Sequence, residues 1–172
     1  MPEHLWPLLR LSADTDDDLK EAYRQVYLRY YVRAEDGQKI EIADWLGNRI
    51  HFNGHPNFFE HAFTEHKNYR TSYGVHSVKL DKKRARCLLW IKEVLCGEAG
   101  TIERRHQTRK DDRGRLRKRR CLIVVEERYV VVLEERDGGD GLDFISAFPA
   151  DNGYLKKLRA ESLLVEIKKP QS

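Results

Sequence analysis

The stretch Cys121-Leu122-Ile123-Val124-Val125-Glu126-Glu127-Arg128-Tyr129-Val130-Val131-Val132-Leu133 decides the fold class. Its β-branched residues are stiff at χ1, which disfavours a helix and suits a pleated sheet. Drawn out as one strand it would reach ~43 Å, more than twice the usual ~17–20 Å. The charged triplet Glu126-Glu127-Arg128 therefore marks a turn between two antiparallel strands, over residues 116–126 and 128–135. Further turns stand one strand-length away on either side, at Asp111-Asp112-Arg113-Gly114 and Asp137-Gly138-Gly139-Asp140-Gly141. Their Asp and Gly residues supply local hydrogen bonds and positive φ. Residues 102–109 and 142–148 then complete an antiparallel sheet of about four strands.

Upstream of this meander the periodicity is helical. Thr15 is placed to cap a helix over residues 16–31, and Asp16, Asp17 and Asp18 meet the positive end of its macrodipole. Leu19, Ala22, Tyr23, Val26, Tyr27 and Tyr30 recur at three- and four-residue steps, giving the helix an aromatic face suited to a core. Over residues 39–52 only Ile40 and Ile42 alternate as in a strand. Asn57 is predicted to cap a helix over residues 58–67, residues 68–77 read as loop, and a second helix spans 81–96 and stops at Gly97. A last helix covers residues 153–164 and the tail from Lys168 frays. Helices, then a meander, then a helix describe an α+β domain. The expected division is an N-terminal helical extension, 1–50, and an α+β domain, 51–172.

The charge is more informative by position than by sum. The 172 residues carry a net +4, yet residues 104–120 hold ten basic residues against two acidic ones. That block alone is +8, and the remainder is acidic. A block of this kind is either a solvated face or a surface for phosphates. Apolar stretches are broken well before the ~18 residues of a membrane span, and no apolar signal core follows the N-terminus. The reading is a cytoplasmic protein without membrane contact. Cys87, Cys96 and Cys121 are odd in number, lack CxxC spacing and sit in apolar stretches, so they read as core residues.

Five of the seven histidines fall between His51 and His76. No HExxH pattern is present, and His61 and His66, five apart, stand ~140° apart on a helix, so they do not chelate one ion. A metal site is therefore not expected. Unperturbed imidazoles titrate near pH ~6.5, and a positioned pair can supply a base and an acid without any cofactor. Period-two parity puts Ser146 on one strand face with Leu142, Phe144 and Phe148, a hydroxyl on an aromatic surface. No GxSxG, P-loop or GxGxxG motif occurs, which leaves serine-hydrolase, NTPase and dinucleotide chemistry without support.

Three features in order resemble the phage-associated branch of the barnase, EndoU, colicin and RelE superfamily of small metal-independent ribonucleases. They are His61-Ala62-Phe63-Thr64-Glu65-His66, the Arg/Lys-bearing strand and hairpin over residues 102–133, and Ile145-Ser146-Ala147-Phe148-Pro149. The resemblance covers about residues 52 to 160. It implies attack of an RNA 2′-hydroxyl on the adjacent phosphate, leaving a 2′,3′-cyclic phosphate, by a toxin-like endoribonuclease. His61 and His66 are then the acid–base groups, Arg105 the phosphate clamp and Ser146 a phosphate or 2′-hydroxyl partner. Arg104, Arg109, Lys110, Arg117, Lys118 and Arg119 are the nucleic-acid-binding residues. RNA is the expected partner, together with an inhibitor or antitoxin protein. Two other readings use the same residues. In one the 104–120 block binds nucleic acid without catalysis; in the other the tyrosine-rich first helix docks a protein.

Overall fold

The computed structural model describes residues 3–65 and 79–171. In chain order the elements are α1 (Asp16–Tyr27), a π-helical turn (Leu28–Val32), β1 (Ile42–Ala43), β2 (Arg49–His51), α2 (Pro56–Phe63), α3 (Lys82–Arg86), α4 (Trp90–Cys96), β3 (Ile102–Lys110), β4 (Leu116–Val124), β5 (Tyr129–Glu135), β6 (Leu142–Pro149), α5 (Asn152–Ala160) and β7 (Leu163–Lys168). The α+β class holds, but the expected sheet of about four antiparallel strands does not. Among the described residues the sheet has seven strands in the order β1-β2-β6-β5-β4-β3-β7, and β2 runs parallel to β6, which makes it mixed. The additional strands lack a readable pattern. β1 and β2 are two and three residues long, and β7 is an edge strand whose Leu163, Leu164, Val165 and Ile167 are all exposed. Apolar residues on both faces of a short segment do not alternate, so residues 163–164 were expected to continue the last helix.

The register sorts side chains onto two faces. Inward point Ile102, Leu122, Val124, Tyr129, Val131, Leu133, Leu142 and Phe144, against an aromatic core supplied by α1 to α4. Phe52 stacks between Tyr31 at 4.6 Å and Phe144 at 4.9 Å. Outward point Cys121, Ile123, Val130 and Val132, which Leu155 and Leu158 of α5 cover. A shift of register between Val132 and Leu133 inserts Ile145 as an extra residue in β6. It breaks the expected parity: Phe144 and Leu142 face inward, whereas Ser146, opposite Val132, and Phe148, opposite Val130, face outward.

The helices differ from their sequence expectation at their ends. Thr15 does cap α1, accepting the Asp18 N–H at 3.1 Å, and Tyr23 and Tyr27 of α1 with Tyr31 of the π-helical turn form one buried face, while Tyr30 is exposed. His55, not Asn57, caps α2, its Nδ1 accepting the Asn57 N–H. The span 81–96 is two helices, interrupted at Cys87–Leu89, where the Tyr129 and Tyr31 hydroxyls donate to the carbonyls of Cys87 and Leu88. Buried tyrosine hydroxyls need acceptors, and here they take helix carbonyls. Residues 68–77 lie outside the described ones. Among those described, no helix is long and apolar enough to cross a membrane.

One contact joins the two edges of the sheet. Trp45, in the turn between β1 and β2, donates its indole N–H to Glu166 Oε1 of β7 at 3.0 Å. Those strands end opposite sides of the sheet order, so the sheet curls until its two edges approach, as a half-barrel. Gly97 permits the approach: a Cβ there would lie 2.9 Å from the Trp45 ring, at φ +70°. Along the inner face the apolar Ile102, Val124 and Tyr129 stand at one end of their strands. Arg104, Arg120 and Glu135 stand toward the other.

Candidate nucleic-acid interface

The basic block is the β3–β4 hairpin, paired from Ile102–Val124 to Lys110–Leu116. Its flanking strands are shorter. β7 pairs with β3 only as far as His106, and β5 meets β4 only from Arg119, so the hairpin tip projects beyond the sheet. The turn is organised by Asp111, whose Oδ1 accepts the N–H groups of Arg113 and Arg115, each at 2.9 Å. Those bonds, the Arg115 one foremost, hold its carboxyl below the usual carboxylate range.

Ion pairing divides the ten cations. Arg104 pairs with Glu166, Arg105 with Glu103, Arg115 and Arg117 with Asp111, Arg119 with Glu134 and Arg120 with Glu135. Arg109, Lys110, Arg113 and Lys118 are exposed and have no acidic partner among the described residues. Thus Arg104, Arg117 and Arg119 are engaged with carboxylates, and Arg109, Lys110 and Lys118 keep their charge unopposed.

The four residues expected to be catalytic lie apart where they are described. Arg105 is buried, its Nε donates to Glu103 at 2.8 Å, and its Nη1 reaches the carbonyls of Arg159 at 3.3 Å and Ser162 at 3.4 Å. It ties β3 to the end of α5. Ser146 shares a face and a cross-strand row with Arg105 through Val132 and Cys121. Three strand spacings nevertheless separate them by ~14 Å. His61 is on the exposed side of α2, whose Phe59, Ala62 and Phe63 enter the inner core. His66 lies outside the described residues. The thiols of Cys87 and Cys121 are buried, and burial pushes them up to about 12 and about 11, whereas Cys96 is exposed, not a core residue as expected.

Sequence reasoning missed the polar mouth of the half-barrel. A cleft of about 340 Å³ opens there between Arg104, Arg120, Glu135 and Arg136, with Asn48 and Gly141 at its rim. His106 stands two residues along β3 from Arg104, with Nε2 3.3 Å from Arg104 Nη1. Burial, then the charges of Arg120 and Arg104, lower its pKa, against an opposing pull from Glu135. Period-two spacing from Arg104 was the available signal. It was masked because both faces of β3 are polar at this end. What the mouth presents chemically is a set of guanidinium donors, a surface for anionic oxygens.

A pH dependence follows from His106. Its folded pKa is below the ordinary 6.5, so through that window the unfolded chain binds more protons and stability falls as pH falls. His51 is lowered too, by burial and then by Arg136, and acts in the same direction. Melting temperatures between pH 7 and 5 are expected to drop less steeply in His106→Gln than in the wild type, with the His51 share remaining. Parallel profiles for the two proteins would contradict this. Against known protein families, curated protein sequences and solved structures, no match to this chain is found.

Proposed function

We propose that this protein binds nucleic acid through the phosphate backbone, with the β3–β4 hairpin as its contact surface. The observation that carries the reading is the set Arg109, Lys110, Arg113 and Lys118, four exposed cations on a projecting tip that have no acidic partner among the described residues. Such groups release counterions when phosphates replace them, which favours polyanions over small singly charged anions. The ribonuclease reading draws on Arg105 and Ser146, which three strand spacings hold ~14 Å apart, and on an Arg105 whose Nε and Nη1 are already engaged by Glu103, Arg159 and Ser162. Binding without cleavage is therefore the reading with the better geometric support, and RNA is the first ligand to try.

The test is anisotropy of a labelled single-stranded RNA from 50 to 300 mM salt in the presence of chelator, followed by gel analysis of the same RNA. Four phosphate contacts on a single strand give a log–log slope of about −3, and the RNA is expected to remain intact. No binding at 50 mM, or an affinity indifferent to salt, rejects the proposal. Fragments with cyclic-phosphate ends would restore the enzymatic reading.

A further inference from the structure

The mouth of the half-barrel is built for a more particular group than a backbone phosphate. Arg104 from β3, Arg120 from β4 and Arg136 from the end of β5 converge on it. Each is held from one side by a carboxylate. Arg104 Nε meets Glu166 at 3.4 Å, Arg120 Nη2 donates to Glu135, and Arg136 Nε meets Asp143 at 3.5 Å. A guanidinium has five N–H donors, so each of these pairings engages one nitrogen without exhausting the group. Among the described residues, Arg104 Nη2, Arg120 Nε and Nη1, and both Nη atoms of Arg136 have no hydrogen-bond partner.

Donors and space point the same way. Three guanidinium groups and one carboxylate, Glu135, line the cleft, and the carboxylates of Glu166 and Asp143 pair with Arg104 and Arg136 from outside the lining. The unspent N–H donors suit an oxyanion, and a terminal phosphomonoester offers them three free oxygens where a phosphodiester offers two. The volume leaves room for a sugar beside the phosphate. On the β5–β6 side the rim is glycine: a Cβ on Gly141, at φ +83°, would lie 2.6 Å from the Arg49 carbonyl oxygen. The cleft does not end blindly. A second groove, of about 250 Å³, runs between Arg117 and Lys118 on one bank and Arg136 and Asp137 on the other, and it shares Glu135 and Arg136 with the mouth. It leads to Lys118, one of the four unopposed cations.

We infer that the mouth is a phosphomonoester site, and that it takes the terminal phosphate of a nucleic-acid strand whose backbone continues along the groove to the hairpin. The inference rests on the nucleic-acid reading above and narrows it to strand ends. The test uses the full chain and one RNA decamer in three forms, with a 5′-phosphate, with a 3′-phosphate and with hydroxyls at both ends, plus a free nucleoside monophosphate. One phosphorylated form is expected to bind about 10- to 100-fold tighter than the hydroxyl form, the worth of one or two charge-assisted hydrogen bonds. Arg136→Gln, at a partly exposed position, is expected to shrink that ratio toward one. Substituting the hairpin cations is expected to weaken all three decamers and keep the ratio.

Equal affinity for the three forms overturns end recognition while leaving backbone binding in place. A ratio that survives both Arg136→Gln and Arg120→Gln overturns the assignment to the mouth. If the free monophosphate binds as tightly as the phosphorylated decamer, the site is for a nucleotide and the strand-end inference is wrong. Should no RNA bind at all, both readings fail together.

Discussion

Replacing Glu103 with alanine is expected to destabilise the fold by about 3 kcal/mol, the order found when one partner of a buried ion pair is removed. Glu103 lies on the outer face of β3 with its side chain 12 % exposed, between two guanidinium groups. It accepts from Arg105 Nε at 2.8 Å and from Arg159 Nη2 at 2.7 Å. Burial alone would raise its carboxyl pKa, but the hydrogen bonds from Arg159 and Arg105 outweigh that and hold it low. Its contribution is therefore fully present above the ordinary carboxylate value and is lost as pH falls through the lower folded one. Without it, two cations share a poorly hydrated space, and the link from β3 to the end of α5 is lost. Urea denaturation at neutral pH measures the cost. A change below about 0.5 kcal/mol, the range of ordinary surface substitutions, would contradict the role given to this triad. The same geometry separates two views of Arg105. If it is an anchor, Arg105→Ala lowers stability but leaves RNA affinity intact under conditions where the variant is folded. A phosphate clamp would lose affinity at unchanged stability.

What the sequence discloses and what it hides divides along contact range. The cap of α1 is legible because Thr15 and Asp18 are three residues apart, and the central meander is legible because β-branched runs and glycine turns are local signals. The six cations neutralised in the basic block are a different matter. Glu134, Glu135 and Glu166 reach them from other strands, up to 62 residues away in the case of Arg104 and Glu166. Counting charge along the chain gives the block its +8, but only pairing says which charges remain available. Parity failed at Ser146 for a similar reason, because a single inserted residue, Ile145, turns the hydroxyl to the other face. The mouth needs four separate segments, β3, β4, the end of β5 and the β1–β2 turn, brought together by the curl that Trp45 and Glu166 close. No short motif encodes such a site.

Neutralising Arg109, Lys110, Arg113 and Lys118 together, each to glutamine, is expected to lower affinity for single-stranded RNA by about two to three orders of magnitude at 0.1 M salt and to flatten the salt slope by about 3. The argument is additive because the four side chains are exposed and share no acidic partner among the described residues. Each removed contact removes one set of released counterions. Stability is expected to stay within about 0.5 kcal/mol, since exposed side chains without partners contribute little to it. The informative comparison is Arg115, Arg117 and Arg119 to glutamine in a second variant. These three are as basic and lie in the same hairpin, but they hold Asp111, Asp137 and Glu134. Removing them also uncovers those carboxylates and so repels phosphate at short range, but it leaves the four unopposed cations in place. The salt slope of that variant is expected to stay close to the wild-type value even as its affinity falls. A slope that depends only on the number of basic residues removed, whichever set they come from, would mean that pairing does not select the contact surface.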